Sequence, residues 1–305
     1  MKIIKNLEKF NNKNKNVIAI GNFDGIHLGH KKVLTQAYKK AKKNNLKFGV
    51  VTFEPMPVMF FNNKVKNHRI NNLKQKISGM KNLNVDFLII IKFNKKFSNI
   101  NYKQFIKKII FSKLKSKYIF VSKNFKFGKK REGNIKKLKE NESYFSYKTC
   151  IAKPFKKHNK ILSSSIIRSE IGKGNLEKVN YFLGRNWCVE GKVIKGEQRG
   201  RKIGFPTCNI KLNDYALPKL GVYSVEVSID KLKRKGIANV GYRPTFKEKT
   251  LLLEVNIFDL KSNLYNKRLK ISFLKFIRPE RRFNNINQLK KQITKDVLQA
   301  KNLND

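Results

Sequence analysis

Residues 17–36 read VIAIGNFDGIHLGHKKVLTQ. Val17, Ile18, Ala19 and Ile20 form an unbroken apolar run, the pattern of a buried strand. The run stops at Gly21. A turn rich in Gly, Asn and Asp follows, and from His30 the apolar residues Val33, Leu34 and Ala37 fall at helical spacing, so a helix is expected to start there. Strand, glycine-bearing loop and helix, in that order, set backbone N–H groups and the positive end of a helix where a phosphate can sit. His27 and His30 stand at the same mouth. An imidazole can hydrogen-bond a phosphoryl oxygen as charge builds on it, which suits phosphoryl or nucleotidyl transfer. The chain has only 4 histidines. Two of them flank one glycine here, more than a plain glycine turn with surface histidines would need.

Working outward, Phe48–Phe53 reads as a second buried strand, ended by Glu54-Pro55-Met56-Pro57, where two prolines stop the pairing. Asn71–Leu83 is helix-like, Phe87–Ile91 is a third strand, Tyr102–Leu114 is helical and Tyr118–Val121 is a fourth strand. Strands alternating with helices imply a parallel sheet wound on both sides, with ligands beyond the carboxyl ends of its strands. His27, His30, Glu54 and Asn124 all follow strand ends. Asn124 opens a basic loop, Lys129–Asn134, that reads either as a solvated turn or as a flap over phosphate or flavin. Ser163, Ser164 and Ser165 precede a short helix carrying Arg168. One hydroxyl suffices for an N-cap; three with a guanidinium can hold a triphosphate. Leu183-Gly184-Arg185 reads as a domain boundary, giving domains 1–183 and 184–305.

From Trp187 the pattern changes to short strand-like runs without long helices between them: 187–194, 221–227, 236–240, 251–258 and 269–276. Close spacing with turn residues suggests an antiparallel barrel or sandwich. An amphipathic helix, 286–298, ends the pattern, with Leu289, Ile293 and Val297 recurring so that it can pack on the strands. Between the first two runs lies the glycine-rich stretch 196–209, GEQRGRKIGFPTCN. Glycines let a backbone approach phosphates closely, and Thr207 offers an oxygen to a hard cation such as Mg²⁺. Glu254 is one carboxylate within an otherwise apolar strand. On alternation alone it reads as an outward-facing strand residue.

At 305 residues the chain has room for two domains, each large enough for its own core. The net charge of +50 suggests a polyanion partner. The lysines argue otherwise: they are spread over nearly every segment, with no basic tail and no patch interleaved with aromatics, as compositional drift would give. Three widely separated cysteines, Cys150, Cys188 and Cys208, match no metal or redox spacing. An odd count fits a reducing compartment. The basic start lacks the apolar stretch of a signal peptide, and 87–91 is too short to cross a bilayer, so a cytoplasmic protein is expected.

His-x-Gly-His after a first strand resembles the signature of the nucleotidyltransferase superfamily. The longer string Gly21-Asn22-Phe23-Asp24-Gly25-Ile26-His27-Leu28-Gly29-His30 resembles the bacterial bifunctional riboflavin kinase/FAD synthetases in particular. The resemblance continues in order through Asn124-Phe125-Lys126-Phe127-Gly128 and Ser163-Ser164-Ser165-Ile166-Ile167-Arg168. In the second half, 200–209 resembles that family's Gly-Arg-x-x-Gly-Phe-Pro-Thr-x-Asn. Pro218–Tyr223, 239–246 (NVGYRPTF), Leu253-Glu254-Val255-Asn256, Arg278-Pro279-Glu280 and Phe283 resemble its later motifs. Met56 and Asn256 depart from it, since the family usually has His at both positions.

The resemblance implies an α/β domain followed by a β domain. The first would be a Rossmann-like nucleotidyltransferase with a parallel sheet. The second would be an antiparallel Greek-key β-barrel with a terminal helix. It implies that MgATP phosphorylates riboflavin to FMN and that a second ATP adenylylates FMN to FAD. It assigns catalysis to Glu254, as general base for the kinase, and to His27, His30 and Arg168 for adenylyl transfer. ATP and its phosphates would meet Gly21, Asn22, Phe23, Asp24, Gly29, Ser164, Ser165, Gly196, Gly200, Arg201, Gly204 and Asn209. Flavin would meet Asn124, Arg278 and Phe283, and Mg²⁺ would meet Thr207 and Asn209. Riboflavin, FMN and ATP are then the expected partners, with no specific nucleic acid and no membrane; weak or transient self-association is compatible with this. Two other readings stand beside it: a nucleotidyltransferase acting on another small phosphate, and an RNA-binding protein exploiting the positive charge.

Overall fold

The apolar run at 17–20 lies inside a six-stranded sheet built from β1 (Lys2–Ile4), β2 (Asn16–Ile20), β3 (Lys47–Glu54), β4 (Phe87–Lys92), β5 (Ser116–Val121) and β6 (Lys148–Ile151). Their order is β1-β4-β3-β2-β5-β6, and every pairing is parallel. β2 is buried along its whole length because helices cover both faces. Ile18 and Ile20 enter one core layer with Val51, Ile106 and Ile119. Val17 and Ala19 enter the other with Leu34, Ala37 and Met80. The chain runs from β2 outward through β3 and β4, then returns to β5 on β2's other side. That reversal opens a crevice at the carboxyl end of β2. Two strands of this sheet escape the sequence reading, β1 and β6. Both are short, and each begins with a lysine.

The computed structural model describes residues 1–302 except 9, 11–12, 63–64, 66, 158–159, 197, 231, 245–248 and 261. Thr245 and Phe246 of the quoted 239–246 motif, and Glu197 of the glycine-rich stretch, therefore lie outside the described residues. The chain divides into two units, one of Met1–Lys66 and Leu73–Ser163, the other of Asn67–Asn72 and Ser164–Asp305. The helices Ser164–Lys173 and Leu176–Leu183, which the sequence reading grouped with the first half, cluster with the second unit. In the first, β7 (Lys156–Lys157) and β8 (Lys160–Ile161) pair antiparallel as a two-stranded sheet.

The second unit is a closed antiparallel barrel of β9 (Cys188–Ile194), β10 (Cys208–Lys211), β11 (Gly221–Ile229), β12 (Leu232–Pro244), β13 (Lys249–Ile257) and β14 (Arg268–Arg278). The strand order is β10-β13-β12-β11-β14-β9. β11, β12 and β13 form a meander and β14 returns beside β11, which is the Greek key. β10, read as loop from sequence, closes the barrel by pairing β13 on one side and β9 on the other. Inside, Trp187 stacks on Phe273 with ring centroids 4.8 Å apart. The terminal helix, Ile286–Asn302, packs Val297 and Ala300 against Val222, Ile237 and Phe258.

Residues 67–72 lie far in sequence from the barrel strands yet are part of this unit. Arg69 N–H donates to the Asp214 carbonyl at 2.7 Å, and Ala216 N–H donates to the Arg69 carbonyl at 2.7 Å. The buried Trp187 Nε1–H donates to the Ile70 carbonyl at 2.9 Å. Arg185 donates to Asn71 Oδ1 at 2.7 Å. Nothing periodic in this six-residue strap announces it in the sequence.

Candidate active sites

The helix expected from His30 begins earlier, at Leu28, with His27 as its N-cap. His27 Nδ1 accepts from the His30 backbone N–H at 3.3 Å. An imidazole that accepts at Nδ1 carries its proton on Nε2, so the cap fixes the tautomer and leaves a donor there. The two imidazoles stack, with centroids 3.6 Å apart and planes 20° from parallel. Gly29 permits this: a Cβ at that position would lie 3.0 Å from the His27 ring. Two imidazolium charges this close would repel by on the order of 4 kcal/mol at an effective dielectric of 20. Burial, the neighbouring His27 and then Lys76 hold the His30 imidazole well below its ordinary 6.5. His30 is therefore uncharged near neutral pH, offering hydrogen bonds rather than net charge. His30 Nδ1 is buried with no hydrogen-bond partner among the described residues.

The loop leading in is held under strain. Phe23 and Ile26 adopt left-handed backbone conformations, φ +47° and +40°, which cost non-glycine residues energy and persist only when packing over-determines them. Both side chains are buried in the core layer that contains Leu34 and Met80. Gly21 N–H donates to the Val51 carbonyl at 3.1 Å, and the Thr52 hydroxyl donates to the Asn22 carbonyl at 3.1 Å. Asp24 is 2% exposed. Gly21, Asn22, Phe23, Asp24, His27, Gly29 and His30 are thus one local constellation. Asn124 lies exposed just after β5. Met56, where the resembled family usually has His, is buried.

Ser164, Ser165 and Arg168 open the helix Ser164–Lys173 of the second unit, where Arg168 donates to Ser165 Oγ at 3.3 Å. An open cleft of about 980 Å³ lies at the opposite, amino-terminal edge of the parallel sheet, lined by Lys13, Lys15, Lys42, Lys47 and Lys81 among others. It contains none of the residues singled out from sequence, and its lysines reflect the composition of the whole chain.

In the barrel, register builds the second constellation. Glu254 pairs with Asn209 across β10–β13 and with Asn239 across β12–β13. Residues directly opposite in antiparallel strands share a face, so the three side chains stand in a row. Along β13 the buried residues Leu253 and Val255 alternate with the half-buried Leu252, Glu254 and Asn256. Glu254 therefore faces away from the barrel interior, as alternation predicts, and that outer face is where Asn209 and Asn239 are. Asn239 Nδ2 donates to Glu280 Oε1 at 3.3 Å.

The glycine-rich loop arrives beside this row. A Cβ on Gly196 would collide with the Asn209 side-chain amide. Gly200 accepts from Phe205 N–H at 2.9 Å, and a Cβ on it would lie 3.4 Å from Thr207 Oγ1. Arg201, Gly204 and Thr207 are exposed on the loop. Asn256 donates from Nδ2 to the Pro206 carbonyl at 2.7 Å, so this departure from the resembled family still braces the loop before Thr207. Asn209 Oδ1 is buried and accepts no hydrogen bond from the described residues. An orphaned amide oxygen and a hydroxyl two residues away fit Mg²⁺, which takes few protein oxygens and keeps the rest for water and phosphate.

Arg278 lies at the end of β14. Its guanidinium is forked onto Asp296 of the terminal helix, with Nε–Oδ1 at 2.9 Å and Nη2–Oδ2 at 2.6 Å. It also sits 5.9 Å from the Phe283 ring centroid, a cation–π distance.

Two charged residues in these surroundings were missed from sequence, Lys76 and Asp296. Each had a signal. Lys76 falls in phase with Leu73, Ile77 and Met80 on the inward side of its helix, and Asp296 falls in phase with Ile293 and Ala300. Lysine and aspartate are almost never fully buried unless paired, so an ion on a packed helix face points to a partner or a task.

Two separate families match the two halves of the chain. Residues 9–166 match the family model for FAD synthetase, and residues 183–304 match that for riboflavin kinase. Over 302 residues the chain is 39% identical to the bifunctional riboflavin kinase/FMN adenylyltransferase of Buchnera aphidicola subsp. Schizaphis graminum, covering 97% of both. Over 291 residues it is 38% identical to that of Bacillus subtilis, covering 94% of this chain and 92% of the other. A crystal structure named as a macrolide-efflux protein from Streptococcus pneumoniae superposes with a TM-score of 0.87 at 30% identity, covering 98% of each chain. Among the described residues no helix is long and apolar enough to cross a membrane. Neither another small phosphate nor RNA is favoured over flavin when both halves match flavin enzymes from end to end. The chain belongs to the bifunctional riboflavin kinase/FMN adenylyltransferases, which phosphorylate riboflavin to FMN and adenylylate FMN to FAD.

Proposed function

We propose that residues 184–305 carry the kinase step and residues 1–183 the adenylyl transfer, with the roles assigned as follows. In the kinase step Glu254 takes the proton from the ribityl 5′-hydroxyl as that oxygen attacks the γ-phosphorus of ATP. The new O–P bond forms as the bond to the β-phosphate oxygen breaks, releasing ADP. Gly196, Gly200, Arg201 and Gly204 cradle the phosphates, and Thr207 with Asn209 hold Mg²⁺, which neutralises phosphate charge. Arg278 and Phe283 lie against the flavin. The row Asn209, Glu254 and Asn239 beside the glycine-rich loop supports this assignment.

In the second step an FMN phosphate oxygen attacks the α-phosphorus of ATP and pyrophosphate leaves, so no protein side chain need become covalent. His27, through its Nε2 proton, and His30 stabilise charge on the α-phosphoryl oxygens. Gly21, Asn22, Phe23 and Asp24 shape the nucleotide loop, and Asn124 contacts flavin. Ser164, Ser165 and Arg168 are assigned to the leaving phosphates from their motif. The observation that carries the reading is the stacked, tautomer-fixed imidazole pair at a helix start. The cytoplasm is the expected compartment, where Cys150, Cys188 and Cys208 would stay as thiols.

The test supplies ATP with riboflavin, or ATP with FMN, to the full-length protein and follows FMN and FAD. His27→Ala should accumulate FMN without FAD. Glu254→Ala should make no FMN yet convert supplied FMN to FAD. If either variant loses the other's step instead, the division of labour is wrong.

A further inference from the structure

Lys76 is 0% exposed. Lysine almost never buries fully, because taking an ammonium out of water costs several kcal/mol. A methionine of similar length would pack in this layer without that cost. Its surroundings indicate what the charge does. Lys76 Nζ donates to Thr52 Oγ1 at 3.5 Å, and that hydroxyl donates onward to the Asn22 carbonyl at 3.1 Å. A donor chain thus runs from the ammonium into the loop that carries the imidazoles, each link polarising the next. The same helix, Leu73–Lys81, meets that loop a second time: Gly79 lies so close to Ile26 that a Cβ would sit 2.7 Å from its Cδ1.

We propose that Lys76 is a positioning residue for adenylyl transfer, propping the Gly21–His27 loop through Thr52 and holding a positive charge near His30. The proposal rests on the assignment of His27 and His30 to that step. The charged and titratable groups acting on His30 are His27, from the start of its own helix, and Lys76, from the neighbouring one. The cation opposes protonation of His30 and adds positive potential beside the imidazole assigned to the transferring phosphoryl group.

The experiment uses the full-length protein, with riboflavin phosphorylation as an internal control for folding. In Lys76→Met, kcat for FAD formation from FMN should fall about 100-fold, the scale of losing one preorganised electrostatic contact, with the kinase rate unchanged. The acid limb of the FAD-forming pH profile should move to higher pH, because His30 loses a cation that opposes its protonation. Wild-type kcat with an unmoved acid limb would leave Lys76 as packing alone and overturn the proposal. Thr52→Val, which keeps shape and lysine, carries the test if Lys76→Met does not fold: a drop of about 10-fold in kcat supports the prop, and an unchanged kcat overturns it. If His27→Ala still forms FAD at the wild-type rate, the site assignment itself has failed, whatever Lys76 does.

Discussion

The two phosphate sites are assembled in opposite ways. The imidazole site is local: within ten residues a strand ends, a strained loop turns and a histidine caps the next helix. Its central contact joins residues three apart, His27 and His30. The barrel site is wholly a product of register. Asn209, Asn239 and Glu254 come from three strands and meet only because β13 pairs β10 and β12 at those residues. A site built from neighbours in sequence tolerates loosening elsewhere. A site built from register fails when the sheet slips, because a shift of one residue sends each side chain to the other face.

The largest effect that separates them is expected from Trp187→Ala. It removes a fully buried indole, its stack on Phe273 and its hydrogen bond to Ile70, for about 3–5 kcal/mol. Urea denaturation should show kinase activity lost at lower urea than the histidine NMR signals of the imidazole pair; FAD formation is a mixed readout, because Ser164, Ser165 and Arg168 belong to the barrel's unit. Simultaneous loss would abolish the contrast between a local and a register-built site.

Asp296→Ala should come next. It strips the fork from Arg278 and leaves a largely buried guanidinium, with side-chain exposure 13%, without its acid, at a cost of about 3 kcal/mol. Riboflavin KM should rise more than ATP KM, because Arg278 is assigned to the flavin side; equal rises would place it elsewhere.

A matched pair of glycine variants sharpens the comparison within the sites. Gly29→Ala presses on the His27 ring and Gly196→Ala on the Asn209 amide. Each should lower its own step about 10- to 100-fold, the scale of displacing a positioned group by up to an ångström, and leave the other step alone.

The smallest effect is a pH slope belonging to one unit. His30 is held below 6.5 by burial, His27 and Lys76. The unfolded chain, with an ordinary histidine, therefore binds more protons at low pH. The contribution to stability is complete above about 6.5 and is lost as pH falls toward the depressed folded value. Denaturant midpoints at pH 7.5 and 5.5 should show this slope, and His30→Gln should flatten it.

Legibility in the sequence follows the same divide. The long apolar runs of β2, β3, β4 and β5 announce the parallel sheet because both faces are covered. The short edge strands β1 and β6 do not, having too few residues to show a pattern. The histidine pair could be read from spacing alone, although the helix begins at Leu28 and not His30, because an imidazole took the cap that hydroxyls and carboxamides usually fill. Glu254 could not be read that way. Alternation correctly gives its outward face, and nothing along β13 says which residues share that face. β10 hid inside a glycine-rich motif. Lys76 and Asp296 were readable as ions in apolar phase, a mismatch between two levels of pattern that marks sites where energy is spent on something other than stability.

The strap at residues 67–72 has a consequence for how the chain is made. Ile70 precedes the tryptophan it binds by 117 residues, so it leaves the ribosome long before its receptor exists. During synthesis those six residues emerge before the barrel that binds them, so the strap can dock only after Trp187 has been made. A gene cut at 183/184 would likewise deliver a kinase fragment without the backbone carbonyl that its buried indole needs.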